Sequence, residues 1–265
     1  MLAWVTDIHV NFLDRPARRG YARDLASTGA TAILATGDLS EGDTLSTHLT
    51  DLATDSGLPV WFVLGNHDYY RGGVAEVRAA VRALCAADLR LRWLHGAGVT
   101  TVAPGVALVG VDGWGDARLG APETTSVLLN DFRLIRDIAF LPTDARNAAL
   151  RALGDESAAT LEADLAAALA THDRVLVATH VPPFAEACWH EGERSNDQWL
   201  PFFSCAAVGE VLRRYAEAHP TRRIDVYCGH THSPGLARLR DNLVVHTGGA
   251  QYGAPGIAGM IKLPD

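Results

Sequence analysis

The chain has few cysteines and no frame in which to pair them. Cys85, Cys188, Cys205 and Cys228 are the four in 265 residues, with no CxxC spacing. That argues against a disulfide framework and for reduced thiols in a cytoplasmic protein. Long apolar runs are also missing. No stretch approaches the roughly 20 apolar residues of a membrane-spanning helix. Strand-like sequence starts at Leu2 and is interrupted by Asp7, with no basic start ahead of it, so no signal peptide is expected. Basic charge is scarce. The net charge is −8 with His neutral, and there is no Lys/Arg tract, which argues against a nucleic-acid partner. A phosphate-bearing substrate stays possible, because bound cations would reverse the sign locally. The chain shows no repeat, low-complexity tract or linker, and residues 1–265 read as one domain.

What is present is an ordinary globular composition, 48% apolar and 20% charged. Strand-like and helix-like segments alternate. Helices are expected from about Arg18 to Thr28, Asp43 to Asp55, Gly73 to Ala87, Asp144 to Ala170 (with a possible break near Gly154) and Ala206 to His219. Leu128 to Ile138 is ambiguous, and Val181 to Ser204 reads as a long irregular loop. Several strands are continuous apolar runs, the mark of strands covered on both faces. The closely spaced strands around 91–111 and 234–263 look like β-ribbons, so mixed sheets with helices packed on them are expected.

Five of these runs end in polar residues able to bind a metal. Leu2–Val5 leads to Asp7 and His9, Ile33–Thr36 to Gly37-Asp38, and Trp61–Leu64 to Gly65-Asn66-His67-Asp68. Val175–Ala178 leads to His180, and Ile224–Cys228 to Gly229-His230-Thr231-His232. Ligands on open sheets gather at the carboxyl edge, so five strands of one sheet would deliver these side chains to one crevice. None of them is cheap to bury alone. A dinuclear metal centre would pair them all, and the mixed nitrogen and oxygen donors suit Mn, Fe or Zn.

The ordered blocks Asp7-x-His9, Gly37-Asp38, Gly65-Asn66-His67-Asp68, His180 and Gly229-His230-Thr231-His232 resemble the signature of the calcineurin-like metallophosphoesterases. The resemblance covers most of the chain. One departure is Glu41, where many relatives carry a second Asp. The resemblance implies an α/β fold, a four-layer αββα sandwich of two mixed β-sheets flanked by helices. It implies that Asp7, His9 and His232 hold one metal, that Asn66, His180 and His230 hold the other, and that Asp38 bridges them. His67 would then act on the leaving oxygen or the transition-state charge, with Asp68 orienting its ring. The implied reaction is hydrolysis of a phosphomonoester or phosphodiester by a metal-bridging hydroxide, with two divalent or trivalent transition-metal ions as cofactors. The intact Asn66-His67-Asp68 block resembles that of the cyclic-nucleotide phosphodiesterases in the family.

A small-molecule or nucleotide phosphoester is therefore the expected substrate. A phosphoprotein phosphatase or nuclease of the same fold is the alternative, and a non-catalytic protein-binding scaffold a third reading. For the pocket wall, the candidates are Trp114, Asp116 and Arg118 in a Gly-rich loop, and Trp189, His190, Arg194, Asn196 and Trp199 in the long loop. An aromatic ring would suit a base and an arginine a phosphate. Tyr69 and Tyr70 flank the central motif. Asp43, His48, His95, His172 and His219 lie away from the strand ends and are expected to be solvated, and His246 to have a core or surface role.

Overall fold

The computed structural model describes residues 1–264. In chain order the elements begin with β1 (Leu2–Val5), α1 (Arg15–Ser27), β2 (Ala32–Thr36), α2 (Leu45–Ser56), β3 (Val60–Val63), α3 (Val74–Ala87) and β4 (Leu91–Trp93). There follow β5 (Thr100–Ala103), β6 (Val106–Gly110), α4 (Asp131–Leu134), α5 (Thr143–Thr171) and β7 (Arg174–Ala178). The rest comprises β8 (Trp189–His190), β9 (Glu193–Arg194), α6 (Leu200–Phe203), α7 (Ala206–Ala218), β10 (Arg223–Cys228), β11 (Gly235–Arg240), β12 (Leu243–Thr247) and β13 (Gly259–Ile261).

The strands form two large mixed sheets. One has the order β13-β1-β2-β3-β4, parallel except where β13 runs against β1. The other has the order β11-β12-β10-β7-β6-β5, parallel in its centre with an antiparallel pair at each edge. The expected ribbons are the pairs β5–β6 and β11–β12, whereas β4 and β13 belong to the first sheet. The five strands that lead to the candidate donors are not in one sheet. β1, β2 and β3 lie in the first, and β7 and β10 in the second. A continuous apolar run says that both faces are covered, not which sheet the strand joins.

Alternation along each strand explains those runs. On β1 and β2, Ala3, Val5, Ile33 and Ala35 face the helices of the first sheet, while Leu2, Trp4, Ala32 and Leu34 face the second sheet. On β6 and β7, Ala107, Val109, Val175 and Val177 pack against α5 and α7, while Val106, Leu108, Leu176 and Ala178 face inward. The result is helices, sheet, sheet, helices, as expected. Helix α5 runs unbroken through Gly154 for 29 residues. A lone glycine costs only about 1 kcal/mol in a helix, and the Leu150, Leu161, Leu165 and Leu169 face is buried. Among the described residues no helix is long and apolar enough to cross a membrane.

Three histidines expected to be solvated are buried. His48 bonds the Ser40 hydroxyl at 2.6 Å, His95 accepts from the Asp112 N–H at 3.2 Å, and His172 meets the Thr101 hydroxyl at 2.9 Å. Each has a local hydrogen-bond partner that offsets the burial, which a position in the sequence does not reveal. His246 stacks on Tyr227, beside the inter-sheet layer and away from the strand-end cluster.

Leu176 is fully buried between the sheets. Leu176→Ala should cost about 2–5 kcal/mol, read as a fall in the urea midpoint. An unchanged midpoint would show that the inter-sheet layer contributes little.

Candidate metal centre

The strand ends meet where the two sheets open. The β1–β2 pairing continues past the strands, with the N–H groups of Asp7, His9 and Val10 donating to the carbonyls of Gly37, Asp38 and Leu39 at 3.0 Å each. This holds the Asp7–His9 loop against the Asp38 loop. Asp7, His9, Asp38, His230 and His232 all have positive φ, between 40° and 71°. Such backbone is uncommon for residues other than glycine and clusters at functional sites. The signature glycines have a steric reason. A Cβ on Gly37, itself at φ 90°, would run into the His180 ring, and one on Gly229 would run into Asp7 and Thr6.

Two donor groups result, and Asp38 belongs to both. One contains Asp7, His9, Asp38 and His232, the other Asp38, His180 and His230, each with its donor atoms within 4.8 Å of one another. His9 Nε2 lies 3.3 Å from His232 Nε2 and 3.8 Å from Asp38 Oδ2, and His232 Nε2 lies 3.5 Å from Asp7 Oδ1. His180 Nε2 lies 3.3 Å from Asp38 Oδ1. The Asn66 amide oxygen joins the second group, 3.1 Å from His180 Nε2 and 3.0 Å from His230 Nδ1.

Hydrogen bonds on the far side of each ring set its tautomer. His180 Nδ1–H donates to the Thr36 carbonyl at 2.8 Å, and His230 Nε2–H donates to the Phe202 carbonyl at 3.0 Å. The remaining ring nitrogens, 3.3 Å apart, face each other and the Asn66 oxygen. The space between these three atoms calls for positive charge, a metal ion or, without one, a proton on a ring nitrogen. The titration of the cluster is uneven. Burial lowers the pKa of His9 to about 4, and burial together with His180 lowers that of His230 to about 3. Burial also opposes charge on His180, but Asp38 outweighs it and raises the pKa to about 10. Burial disfavours the Asp38 carboxylate, yet His180 and His67 hold it well below the usual carboxylate range. Ionised carboxylates and neutral imidazoles are the forms that ligate metals. Asp38, His9 and His230 are held in those forms, and a metal ion would displace the proton that Asp38 favours on His180, so the donor set fits a pair of transition-metal ions.

His67 stands beside this cluster, its Nε2 3.9 Å from Asp38 Oδ2 and its ring stacked on Tyr70 at 4.2 Å. Its backbone N–H donates to Asp38 Oδ1 at 2.8 Å. Asp68 does not touch the His67 ring, whose buried Nδ1 has no partner. Instead Asp68 accepts from the N–H groups of Leu39, Ser40 and Gly65 at 2.8–2.9 Å. It ties the Asp38 loop to the Asn66 loop. The short helical turn at 67–69 directs neighbouring side chains apart, so adjacency in sequence did not become contact.

The cleft above the cluster has a volume of about 260 Å³ and is lined by Asp38, Asn66, His67, His230 and His232. Its walls are Tyr70, Leu129, Asp131, His190, Phe203 and Tyr252. Of the eight loop candidates from the sequence, His190 lines it and the other seven do not; of the two flanking tyrosines, Tyr70 does. Trp114 is buried against Tyr69 at 4.9 Å. Arg118 pairs with Asp116 at 3.1 Å and Asp155 at 2.7 Å, pinning its loop to α5. Trp189 and Arg194 stack on each other across the β8–β9 hairpin at 5.3 Å. From that hairpin His190 faces the cleft instead. Asn196 and Trp199 line a neighbouring groove, and buried Asp116 accepts from the Ala207 N–H at the start of α7. Tyr69 is buried and donates to Asp112 at 2.7 Å. A glycine-rich loop reads as exposed, but here large side chains anchor it inward.

Asp131 was missed in the sequence. Its carboxylate accepts from Asn66 Nδ2 at 2.8 Å and Tyr70 OH at 2.7 Å. This turns the Asn66 oxygen toward the histidines. The available signal is one of two aspartates in the mixed stretch 127–138, too weak to point at Asn66.

A family model described as calcineurin-like phosphoesterase matches residues 2–234. The chain belongs to the calcineurin-like phosphoesterase family. Solved structures show the same fold. A phosphopantetheinyl hydrolase from Mycobacterium tuberculosis aligns with a TM-score of 0.63 at 17% identity, over 94% of this chain and 89% of that one. A dimetal phosphatase from Danio rerio aligns with a TM-score of 0.55 at 14% identity, over 94% and 86%. No curated protein matches this sequence significantly.

Two variants separate support from ligation. Asp131→Ala should weaken metal binding about 10–100-fold, measured by titrating metal-free protein with Mn²⁺, and unchanged affinity would remove Asp131 from the centre. Asp68→Ala leaves three buried N–H groups without their acceptor and should cost about 3 kcal/mol or more, read from urea unfolding. A variant as stable as the parent would contradict that clamping role.

Proposed function

We propose that this member of the family is a dinuclear metal-dependent phosphoesterase acting on a small-molecule or nucleotide phosphoester. The observation that carries the reading is the pair of donor groups sharing Asp38 at the floor of the cleft. On this reading Asp7, His9 and His232 would hold one metal, Asn66, His180 and His230 the other, with Asp38 shared between them. Bound there, the metals supply Lewis-acid charge for the phosphoryl oxygens and lower the pKa of water.

The chain's own residues do the rest. Asp7 is kept in place by the Thr6 hydroxyl at 2.7 Å and the His230 N–H at 3.0 Å. Thr36, Phe202 and Asp131 orient His180, His230 and Asn66. His67 lines the same cleft and, from its stacked position on Tyr70, can donate a proton to the leaving oxygen. The apolar side chains of Leu129 and Phe203 exclude water from one wall. The acidic balance of the chain favours a small substrate over nucleic acid.

The test is hydrolysis of p-nitrophenyl phosphate and bis-p-nitrophenyl phosphate by metal-free protein reloaded with Mn²⁺, Zn²⁺ or Fe²⁺. Activity that appears only with metal is expected, and the preferred ester distinguishes monoesterase from diesterase. Absence of hydrolysis with two metals bound would count against the reading. His67→Ala should keep both metals and lose about 10²–10⁴ in rate, most on esters with poor leaving groups. A full rate on every ester would remove its role. Asp38→Ala should lose metal as well as activity. Two metals retained per chain would end the bridging assignment.

A further inference from the structure

We propose that Tyr252 is the specificity-determining residue of this cleft, and that the leaving group it selects is planar, aromatic and uncharged, carried on a single phosphoryl group. The inference rests on the phosphoesterase reading and narrows its substrate class. Tyr252 lies beyond residue 234, where the family match ends. Its place is decided by the C-terminal segment of this chain. Strand β13 runs antiparallel along β1 and pulls the preceding loop across the mouth of the site. The loop is fastened at both ends. The Ala250 N–H donates to the His232 carbonyl at 3.1 Å, the Tyr21 hydroxyl to the Gly256 carbonyl at 3.0 Å, and the Ala258 N–H to the Trp4 carbonyl at 2.9 Å.

Fastened so, the Tyr252 ring sits 4.5 Å from the His9 ring and 4.9 Å from the His232 ring, centroid to centroid. Phe12 supports it edge-on at 5.2 Å. Yet Tyr252 is 49% exposed, so part of the ring is free while it lines the cleft. A tyrosine that only covered two ligand histidines would have no need to face the cavity. Tyr70 and Phe203 stand among the other walls. The cleft is about 260 Å³ and open to solvent on one side. It suits a phosphoryl group and a compact ring.

The charges limit the substrate further. No lysine or arginine is among the cleft-lining residues, and the carboxylates there are Asp38 and Asp131. Asp131 is already engaged by Asn66 and Tyr70. A second phosphate or carboxylate on the substrate would find no cationic side chain and would approach a buried acid.

The test is equilibrium binding of non-hydrolysable phosphonates to the Mn²⁺-loaded protein. Phenylphosphonate should bind about tenfold more tightly than methylphosphonate, within the range of ring stacking on an aromatic side chain. Tyr252→Phe should keep that ratio and Tyr252→Ala should abolish it, with Mn²⁺ uptake confirming that both variants fold. 4-Carboxyphenylphosphonate should bind several-fold more weakly than phenylphosphonate. Equal binding of the phenyl and methyl compounds, a ratio that survives in Tyr252→Ala, or tighter binding of the carboxylated ring would overturn the proposal. Metal-dependent hydrolysis of p-nitrophenyl phosphate is read in parallel. Hydrolysis without a phenyl preference sinks the Tyr252 proposal alone, and a phenyl preference without hydrolysis sinks the phosphoesterase reading alone.

Discussion

A buried carboxylate that cannot stand alone organises this protein. Asp38 is 1% exposed, at the end of β2, and is surrounded by imidazoles delivered from both sheets. An isolated buried charge is prohibitively unfavourable, so Asp38 requires those partners. They in turn require the two sheets to meet with their strand ends aligned. The inter-sheet layer of Leu2, Leu34, Leu108 and Leu176 brings the sheets together. The donors at its open edge give that packing a chemical purpose.

Other buried acids hold the surroundings in register. Asp68 clamps three loop N–H groups. Asp112, just past β6, accepts from the Leu64 N–H, Tyr69 OH and Trp93 Nε1 at 2.7–2.9 Å. It thereby ties the end of the second sheet to β3 and β4 of the first. Asp131 aims Asn66. In each case a carboxylate satisfies donors that a loop would otherwise leave orphaned. The loops can then adopt left-handed backbone at five donor residues, whose strain of about 1–3 kcal/mol each persists only where the surroundings over-determine it.

The long segment 181–204 shows how a loop becomes part of a site. It reads as irregular, but it folds into the β8–β9 hairpin and the short α6. Its contributions are a backbone carbonyl, an apolar wall and His190. The Phe202 carbonyl fixes the His230 tautomer, and Phe203 forms a wall. In its sequence Trp189, His190, Arg194, Asn196 and Trp199 advertise recognition, and of these His190 alone reaches the cleft. A carbonyl has no sequence signature, which is why its role stayed hidden.

The strands, the helices and the donor residues at the strand ends were legible in the sequence. A buried strand must be apolar on both faces, and polar residues directly after it must be held there for a reason. Asp7, His9, Asp38, Asn66, His67, His180, His230 and His232 could therefore be named from position, the family resemblance set His67 apart from the other seven, and the structure gathers them. The tertiary structure alone decided how five strands divide between two sheets, because burial does not encode partner. It decided that Asp68 faces amides rather than His67, because one residue of a 3-10 turn redirects a side chain by about 120°. It turned Trp114 and Arg118 away from the cleft and brought Asp131 and Tyr252 into it, because long-range contacts such as Asn66 with Asp131 and His9 with Tyr252 depend on packing that no local pattern records.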